Sequence, residues 1–182
     1  MKVLFKYDKN IPDNAIIIDT TLNSGKFREL SPFVLSALPA KNLENLWQFS
    51  KVYEKYTLNG EPTARYYEWR DWGFNQTKAY RYPMGKGAAP LYSLWQGNKL
   101  NYIEARKSIY IPEYARNVVK TTSYNRLEKV YHNHPDNLVL LDFDAYDHQA
   151  LVMSLTDVIN NQNRKMGHAF VLMGLLTREI TV

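Results

Sequence analysis

The sequence predicts an α+β fold that is predominantly α-helical with a minor β component. Several segments place apolar residues at helical spacing, whereas only short runs such as 15–18 and 138–143 have the character of strands. The 182 residues are 45% hydrophobic and 23% charged, close to globular averages, and can bury one sizeable core. We therefore expect a single domain over residues 1–182.

The N-terminal half predicts few regular elements. Residues 15–18 are predicted as a strand that could pair with residues 2–5, so that 1–25 is a β-containing extension. Residues 42–56 follow Pro39 and are predicted as one helix. Residues 57–91 carry three prolines and four glycines among rings and bases, and we expect there an aromatic and basic functional loop or an insertion.

Most of the predicted helices lie in the C-terminal half. Residues 101–108 are expected to be helical, Pro112 suits the first position of a new helix, and 113–131 supplies at least one more. The short apolar run 138–143 is predicted as a buried strand, and two closing helices are expected at 149–159 and 166–176.

The composition excludes several kinds of site. The chain has no cysteine, which rules out disulfides, thiolate nucleophiles and cysteine-bound zinc. The four histidines show no convincing ligand spacing, so we expect no metal and no cofactor. The net charge of +5 modestly favours phosphate-bearing partners. No run suits a signal peptide or a membrane span, so we expect a cytoplasmic protein without membrane contact.

Three polar residues share a predicted helical stripe. Glu44, Gln48 and Lys51 stand at i, i+4 and i+7, which places an acid, an amide and an amine in one line. Such a stripe either faces a cleft or is an ordinary solvated helix face, and spacing alone favours the solvated face.

Residues 65–86 interleave rings with bases. Cations hold phosphates while rings stack bases, so this composition suits a nucleotide or single-strand platform, or equally a set of rings that covers the core. The Gly85-Lys86-Gly87 run is similar to a phosphate-binding turn without Walker A spacing. Trp95 fits either a core anchor or a base-stacking plate, with the core favoured.

Carboxylates follow the predicted strand at 138–143. Asp147 suits a helix N-cap, which leaves Asp144 for chemistry as an acid, a base or a ribose-binding group. The choice between Asp142 and Asp144 stays open, because a slip of one residue on a strand turns the side chain to the other face.

Several short motifs, and their order along the chain, resemble those of the NADAR (YbiA-like) family. The family's Leu-Ser-Asn-Phe and Glu-His-x-x-Gln-x-x-Lys signatures are similar to residues 30–33 and 44–51 here. Its later Ala, Gly-Arg, Trp, Asp and Asn-x-x-Gly positions are similar to Ala79, Gly85-Lys86, Trp95, Asp144 and 163–167. Pro32 and Asn45 depart from the family's asparagine and histidine, the Trp-Gly after the aspartate is absent, and one extra residue interrupts Asn-x-x-Gly.

The resemblance implies a compact, mainly helical NADAR/YbiA-like domain that hydrolyses N-glycosidic bonds. The substrates it implies are ribosylated pyrimidine intermediates of riboflavin synthesis or ADP-ribosylated nucleobases. The family's functional glutamate, aspartate and tryptophan correspond to Glu44, Asp144 and Trp95. We expect a nucleotide-like small molecule or a modified nucleic acid as the partner, with a substrate-binding set of Phe33, Gln48, Lys51, Arg81 and Lys86.

The alternative expectation is a non-catalytic module that binds nucleic acid or ADP-ribose through residues 65–86. Such a binder would show steep salt dependence and would not need Glu44.

Overall fold

The computed structural model describes residues 1–182 and contains eight strands and seven α-helices. The strands are β1 (Lys2–Phe5), β2 (Ile16–Asp19), β3 (Lys51–Val52), β4 (Thr57–Leu58), β5 (Glu61–Pro62), β6 (Tyr92–Trp95), β7 (Asn98–Leu100) and β8 (Leu138–Asp142). The helices are α1 (Leu43–Phe49), α2 (Ala64–Phe74), α3 (Tyr102–Ala105), α4 (Ile111–Val118), α5 (Thr122–Asn133), α6 (Leu155–Asn160) and α7 (His168–Thr177). A π-helical segment, Arg106–Tyr110, joins α3 to α4. None of the helices has the length and apolar character that crossing a bilayer requires.

The chain divides into two compact units. Unit 1 comprises Met1–Ser31 and Tyr114–Val182, and unit 2 comprises Pro32–Glu113. Each unit combines helices with a small sheet, which is the α+β class that the sequence predicts.

Unit 1 is built on a parallel sheet with the order β1-β8-β2. The predicted pairing of β1 with β2 is wrong, because the fully buried β8 lies between them. Parallel strands need cover on both faces, which explains the continuous apolar sequence of β8. Val139 and Leu141 pack with Leu4, Ile11 and Ala15 on one face, and α7 packs against β8 and β1. Residues 1–25 therefore supply two strands of a core sheet.

Unit 2 begins with a helix that is shorter than predicted. The Asn42 side chain accepts a hydrogen bond from the Asn45 amide and caps α1. The predicted helix over 42–56 ends at Phe49, where the Ser50 hydroxyl donates to the Leu46 carbonyl at 2.6 Å. The chain then enters β3, which pairs antiparallel with β6, and β6 pairs with β7.

The predicted loop at 57–91 contains regular structure in its first half. The hairpin β4-β5 leads into α2, and only 75–91 lacks helices and strands. Trp69 of α2 packs inward on Phe49 and Tyr56, with ring centroids 4.6 and 4.9 Å apart. A Cβ atom at Gly73 would lie 2.1 Å from the Phe49 ring, so this glycine allows α2 to approach α1 closely. The loop prediction is therefore wrong for α2.

The helices predicted at 101–108 and 113–131 are confirmed as α3 with the π-helical segment, α4 and α5. The prediction that Pro112 opens a new helix is wrong, because Pro112 is the second residue of α4 and α4 continues directly from the π-helical segment. The buried strand is confirmed as β8, and the last helix as α7.

The helix predicted at 149–159 is confined to α6. Ser154 caps α6 in a capping box with Asp157. Asp147 is not a helix cap: its Oδ1 accepts from the Ala150 amide within a turn, and its Oδ2 binds the Lys2 ammonium at 2.8 Å.

Candidate functional site

Three polar side chains form a hydrogen-bonded chain from α1 to β3. Gln48 Nε2 donates to Glu44 Oε1 at 2.9 Å, and Lys51 Nζ donates to Gln48 Oε1 at 2.7 Å. Because an ammonium group only donates, the Gln48 oxygen must face Lys51 and its amide nitrogen must face Glu44. Glu44 is 6% exposed and Gln48 8%. These two hydrogen bonds therefore hold the nearly buried carboxylate of Glu44 in one orientation.

Three aromatic rings lie beside these hydrogen-bonded side chains. The Lys51 ammonium lies 4.9 Å from the centroid of the Trp47 ring. Trp47 in turn contacts Tyr110 and Tyr102, at centroid distances of 5.4 and 6.2 Å. The lysine is thus oriented by an amide oxygen and by an aromatic face.

Arg106 is a buried residue that the sequence analysis missed. It opens the π-helical segment, is 2% exposed, and its guanidinium lies 4.6 Å from the Tyr102 ring. A basic residue in a predicted helix ordinarily faces solvent, so no pattern singled it out. A buried guanidinium needs polar partners, and π-helical segments are frequent at functional sites, so Arg106 belongs among the candidate residues.

Trp95 ends strand β6 and is half-buried. The register of β3 with β6 places Lys51 opposite Ser93. Because side chains alternate along a strand, Trp95 shares the sheet face of Ser93 and Lys51. The predicted stacking residue and the lysine of the polar chain therefore lie on the same face of one sheet.

Phe33 lies in the segment that precedes α1. The Glu44 amide donates to the Pro32 carbonyl at 3.0 Å, which ties this segment to the start of the helix. Phe33 is half-buried. The backbone thus brings the residue after Pro32 near the helical turn that carries Glu44.

The two predicted phosphate-binding cations lie in the irregular segment 75–91. The Arg81 guanidinium lies 5.6 Å from the Tyr82 ring. Lys86 is exposed between Gly85 and Gly87, whose φ angles are +91° and +89°. Only glycine adopts such angles without strain, so the two glycines shape the turn that presents Lys86.

Unit 1 contains a buried ion pair at the carboxyl end of β8. His168 Nδ1 lies 3.0 Å from Asp142 Oδ2, and His168 Nε2 lies 2.9 Å from the Thr20 carbonyl oxygen. Both ring nitrogens face acceptors, so the geometry requires the doubly protonated imidazolium. Burial alone would raise the pKa of Asp142, but the charge and hydrogen bond of His168 and the amides of Ala169 and Asp144 lower it to about 2.

The ion pair distinguishes the surroundings of the two acids. Asp142 is engaged by His168, whereas Asp144 is half-buried and retains exposed surface. The Asp144 amide donates to Asp142 Oδ1 at 3.3 Å, and its carbonyl accepts from the Gly167 amide at 3.0 Å. Asp144 is therefore the better candidate for contact with a ligand, and its backbone is held on both sides. It belongs to unit 1, whereas Glu44 and Trp95 belong to unit 2.

No protein-family model matches this chain, and no curated protein or solved structure matches it significantly. No three His, Asp or Glu side chains cluster closely enough to hold a metal ion. The resemblance to the NADAR family therefore stays a prediction from short motifs, and a functional assignment depends on the residues themselves.

Proposed function

We propose that this protein is an N-glycosidase that hydrolyses the bond between ribose and a nucleobase in a ribosylated, ADP-ribosylated or nucleotide-like substrate. The observation that carries the proposal is the Glu44 carboxylate, which Gln48 and Lys51 hold in one orientation. A carboxyl group fixed beside the sugar is what acid–base cleavage of a glycosidic bond needs.

In the proposed reaction, the bond from C1′ of the ribose to the base nitrogen breaks, and a water oxygen bonds to C1′. One water proton ends on the departing base, so the products are the free base and a ribose hemiacetal. Positive charge develops on the sugar and negative charge on the base. Glu44 transfers the proton and Trp95 stacks on the base, and both residues belong to unit 2. A role of Asp144 in binding the ribose or the water stays a prediction from the family resemblance.

The structure favours a revised role for Lys51. The sequence suggests that Lys51 holds phosphate, yet its ammonium donates to Gln48 and lies on the Trp47 ring. In the proposal, Lys51 orients Gln48, which orients Glu44. Arg81 and Lys86 then remain as the phosphate-binding cations.

The test is release of a free base from ribosylated aminopyrimidine phosphates and from ADP-ribosylated nucleobases, detected by mass spectrometry. Glu44→Gln keeps the volume and removes the acid, so turnover should fall by about 10²- to 10⁴-fold, the usual contribution of general acid–base catalysis. Glu68→Gln, an exposed glutamate of α2, is the matched control and should keep full activity. Unchanged turnover in Glu44→Gln on a substrate that the native protein cleaves would contradict the proposal.

A further inference from the structure

Two exposed rings, one half-buried ring and two exposed lysines follow the middle of α2 in unit 2. This ring–cation strip consists of Trp72, Lys78, Tyr80, Tyr82 and Lys86. Trp72 is 49% exposed and Tyr82 42% exposed. The Trp72 and Tyr80 ring centroids lie 5.4 Å apart, and the Lys78 ammonium lies 5.5 Å from the Tyr80 ring. The Trp72 ring and the Lys78 ammonium are thus both neighbours of the Tyr80 ring.

The charge of this region is one-sided. Positions 72–103 contain Lys78, Arg81, Lys86 and Lys99 but no aspartate or glutamate. Of these four, Lys99 forms an ion pair with Glu61. The two lysines of the strip therefore lie in a stretch of sequence without acids, which favours phosphate.

Two residues in the first half of the 65–86 segment contact other residues of unit 2. The Trp69 ring is stacked against Tyr56. The Arg70 guanidinium donates to Asp71 Oδ1 through Nε and Nη2, at 2.9 and 2.8 Å. In the first half, the Trp69 ring and the Arg70 guanidinium are therefore engaged within the protein, while Arg65 and Tyr67 are exposed.

Asn45 of α1 and the cap residue Asn42 hold the backbone of the strip. Asn45 Nδ2 donates to the Gln76 and Lys78 carbonyls at 3.0 and 2.9 Å, and Asn45 Oδ1 accepts from the Tyr80 amide at 2.9 Å. Asn42 Nδ2 donates to the Gln76 carbonyl at 3.4 Å. The segment has no regular structure but is ordered by these bonds, which reduces the entropy lost on binding.

We propose that the ring–cation strip binds single-stranded nucleic acid, with unpaired bases stacked on Trp72 and Tyr82 and phosphates on Lys78 and Lys86. A duplex buries its base faces, so it cannot use the rings. The helix α1 carries both the strip, through Asn45, and Glu44. If the proposed function holds, the base that is cleaved belongs to a strand bound here; the binding itself does not depend on that reaction.

The test is fluorescence anisotropy with labelled 15-residue oligo(dT) and oligo(U), a duplex of the same length, and anionic phosphatidylserine vesicles. With Lys78 and Lys86 on phosphates, the logarithm of the association constant should fall with the logarithm of salt at a slope of about −1.4. The paired substitution Lys78→Ala with Lys86→Ala should reduce the magnitude of that slope by roughly 1.4. Oligo(dT) against oligo(U) decides between DNA and RNA.

Stacking predicts about a 5- to 150-fold loss of affinity in Trp72→Ala and a smaller loss in Trp72→Phe, which keeps a ring. Tyr7→Ala, which removes a 67% exposed ring in unit 1, and the paired substitution of exposed Lys120 and Lys129 to alanine are the controls. The proposal is overturned by failure to bind either single strand at low salt, by equal affinity for the duplex, by binding to vesicles alone, or by equal effects of strip and control variants. Glu44→Gln should bind the strand like the native protein, so loss of turnover with retained binding separates the two proposals.

Discussion

Replacing Asp142 with asparagine is expected to cost unit 1 a substantial part of its stability. Asp142 Oδ2 accepts from His168 Nδ1 and the Ala169 amide, while Oδ1 accepts from the Asp144 amide. An asparagine side chain has only one oxygen that accepts hydrogen bonds. Its NH2 group must therefore face a donor, either His168 with the Ala169 amide or the Asp144 amide. The charged His168 also loses its buried counterion.

The size of the effect follows from the pKa of Asp142, which is lowered from 3.8 to about 2. That depression corresponds to roughly 2 kcal/mol in favour of the ionised, folded form. Breaking a buried pair by removing one partner costs about 3–5 kcal/mol in other proteins. We therefore expect Asp142→Asn to lose between about 2 and 5 kcal/mol at pH 7.

The effect should depend on pH with a definite sign. A lowered carboxyl pKa stabilises the fold fully above the unfolded value of 3.8, and this contribution disappears as pH falls toward 2. The carboxyl's share of the difference between the native protein and Asp142→Asn should therefore be complete above about pH 5 and shrink below pH 4.

Urea unfolding followed by circular dichroism measures the loss. With a slope of about 2 kcal/mol per molar urea, a loss of 2 kcal/mol lowers the midpoint by about 1 M. Tryptophan fluorescence is a separate reporter of unit 2, because all four tryptophans, at 47, 69, 72 and 95, lie there. Asp136→Asn, an exposed acid of unit 1, should change stability by less than about 0.5 kcal/mol. A loss under about 1 kcal/mol at pH 7, or an equal loss at pH 3 and pH 7, would refute the reasoning.

Two further predictions concern packing. Gly73→Ala should lower the stability reported by tryptophan fluorescence by about 1–3 kcal/mol, because its Cβ would lie 2.1 Å from the Phe49 ring, whereas exposed Glu68→Ala on the same helix should have little effect. Tyr114→Phe removes a buried hydroxyl that donates to the Leu30 carbonyl at 2.6 Å. The free energy of unfolding measured by circular dichroism should therefore fall by about 1–3 kcal/mol, and an unchanged urea midpoint would contradict this prediction.

Local patterns predicted the elements that depend on nearby residues. The helices α5 and α7 and the strand β8 follow from apolar spacing and short apolar runs within each segment. The hydrogen bond between Glu44 and Gln48 follows from residues one helical turn apart.

Elements that depend on distant partners were mispredicted. The helix at 42–56 was expected to continue because its apolar spacing does, but Lys51 and Val52 pair with β6 about forty positions later. The helix α2 carries rings and charges around its whole circumference, so its sequence shows no apolar face. Trp69 faces inward because its ring packs on Phe49 and Tyr56. A sequence window of about 18 residues, centred on either segment, does not include those partners.

The sequence alone determined which chemical groups are present. It shows the lack of thiols, the spacing of Glu44, Gln48 and Lys51, and the acid-free basic stretch at 72–103. Only the tertiary structure decided that β8 separates β1 from β2, that Asp142 pairs with His168, and that Arg106 is buried. The physical reason is that contacts one turn apart close short loops of known geometry, whereas the bond from His168 to Thr20 joins residues 148 positions apart, and the packing of the whole unit selects it.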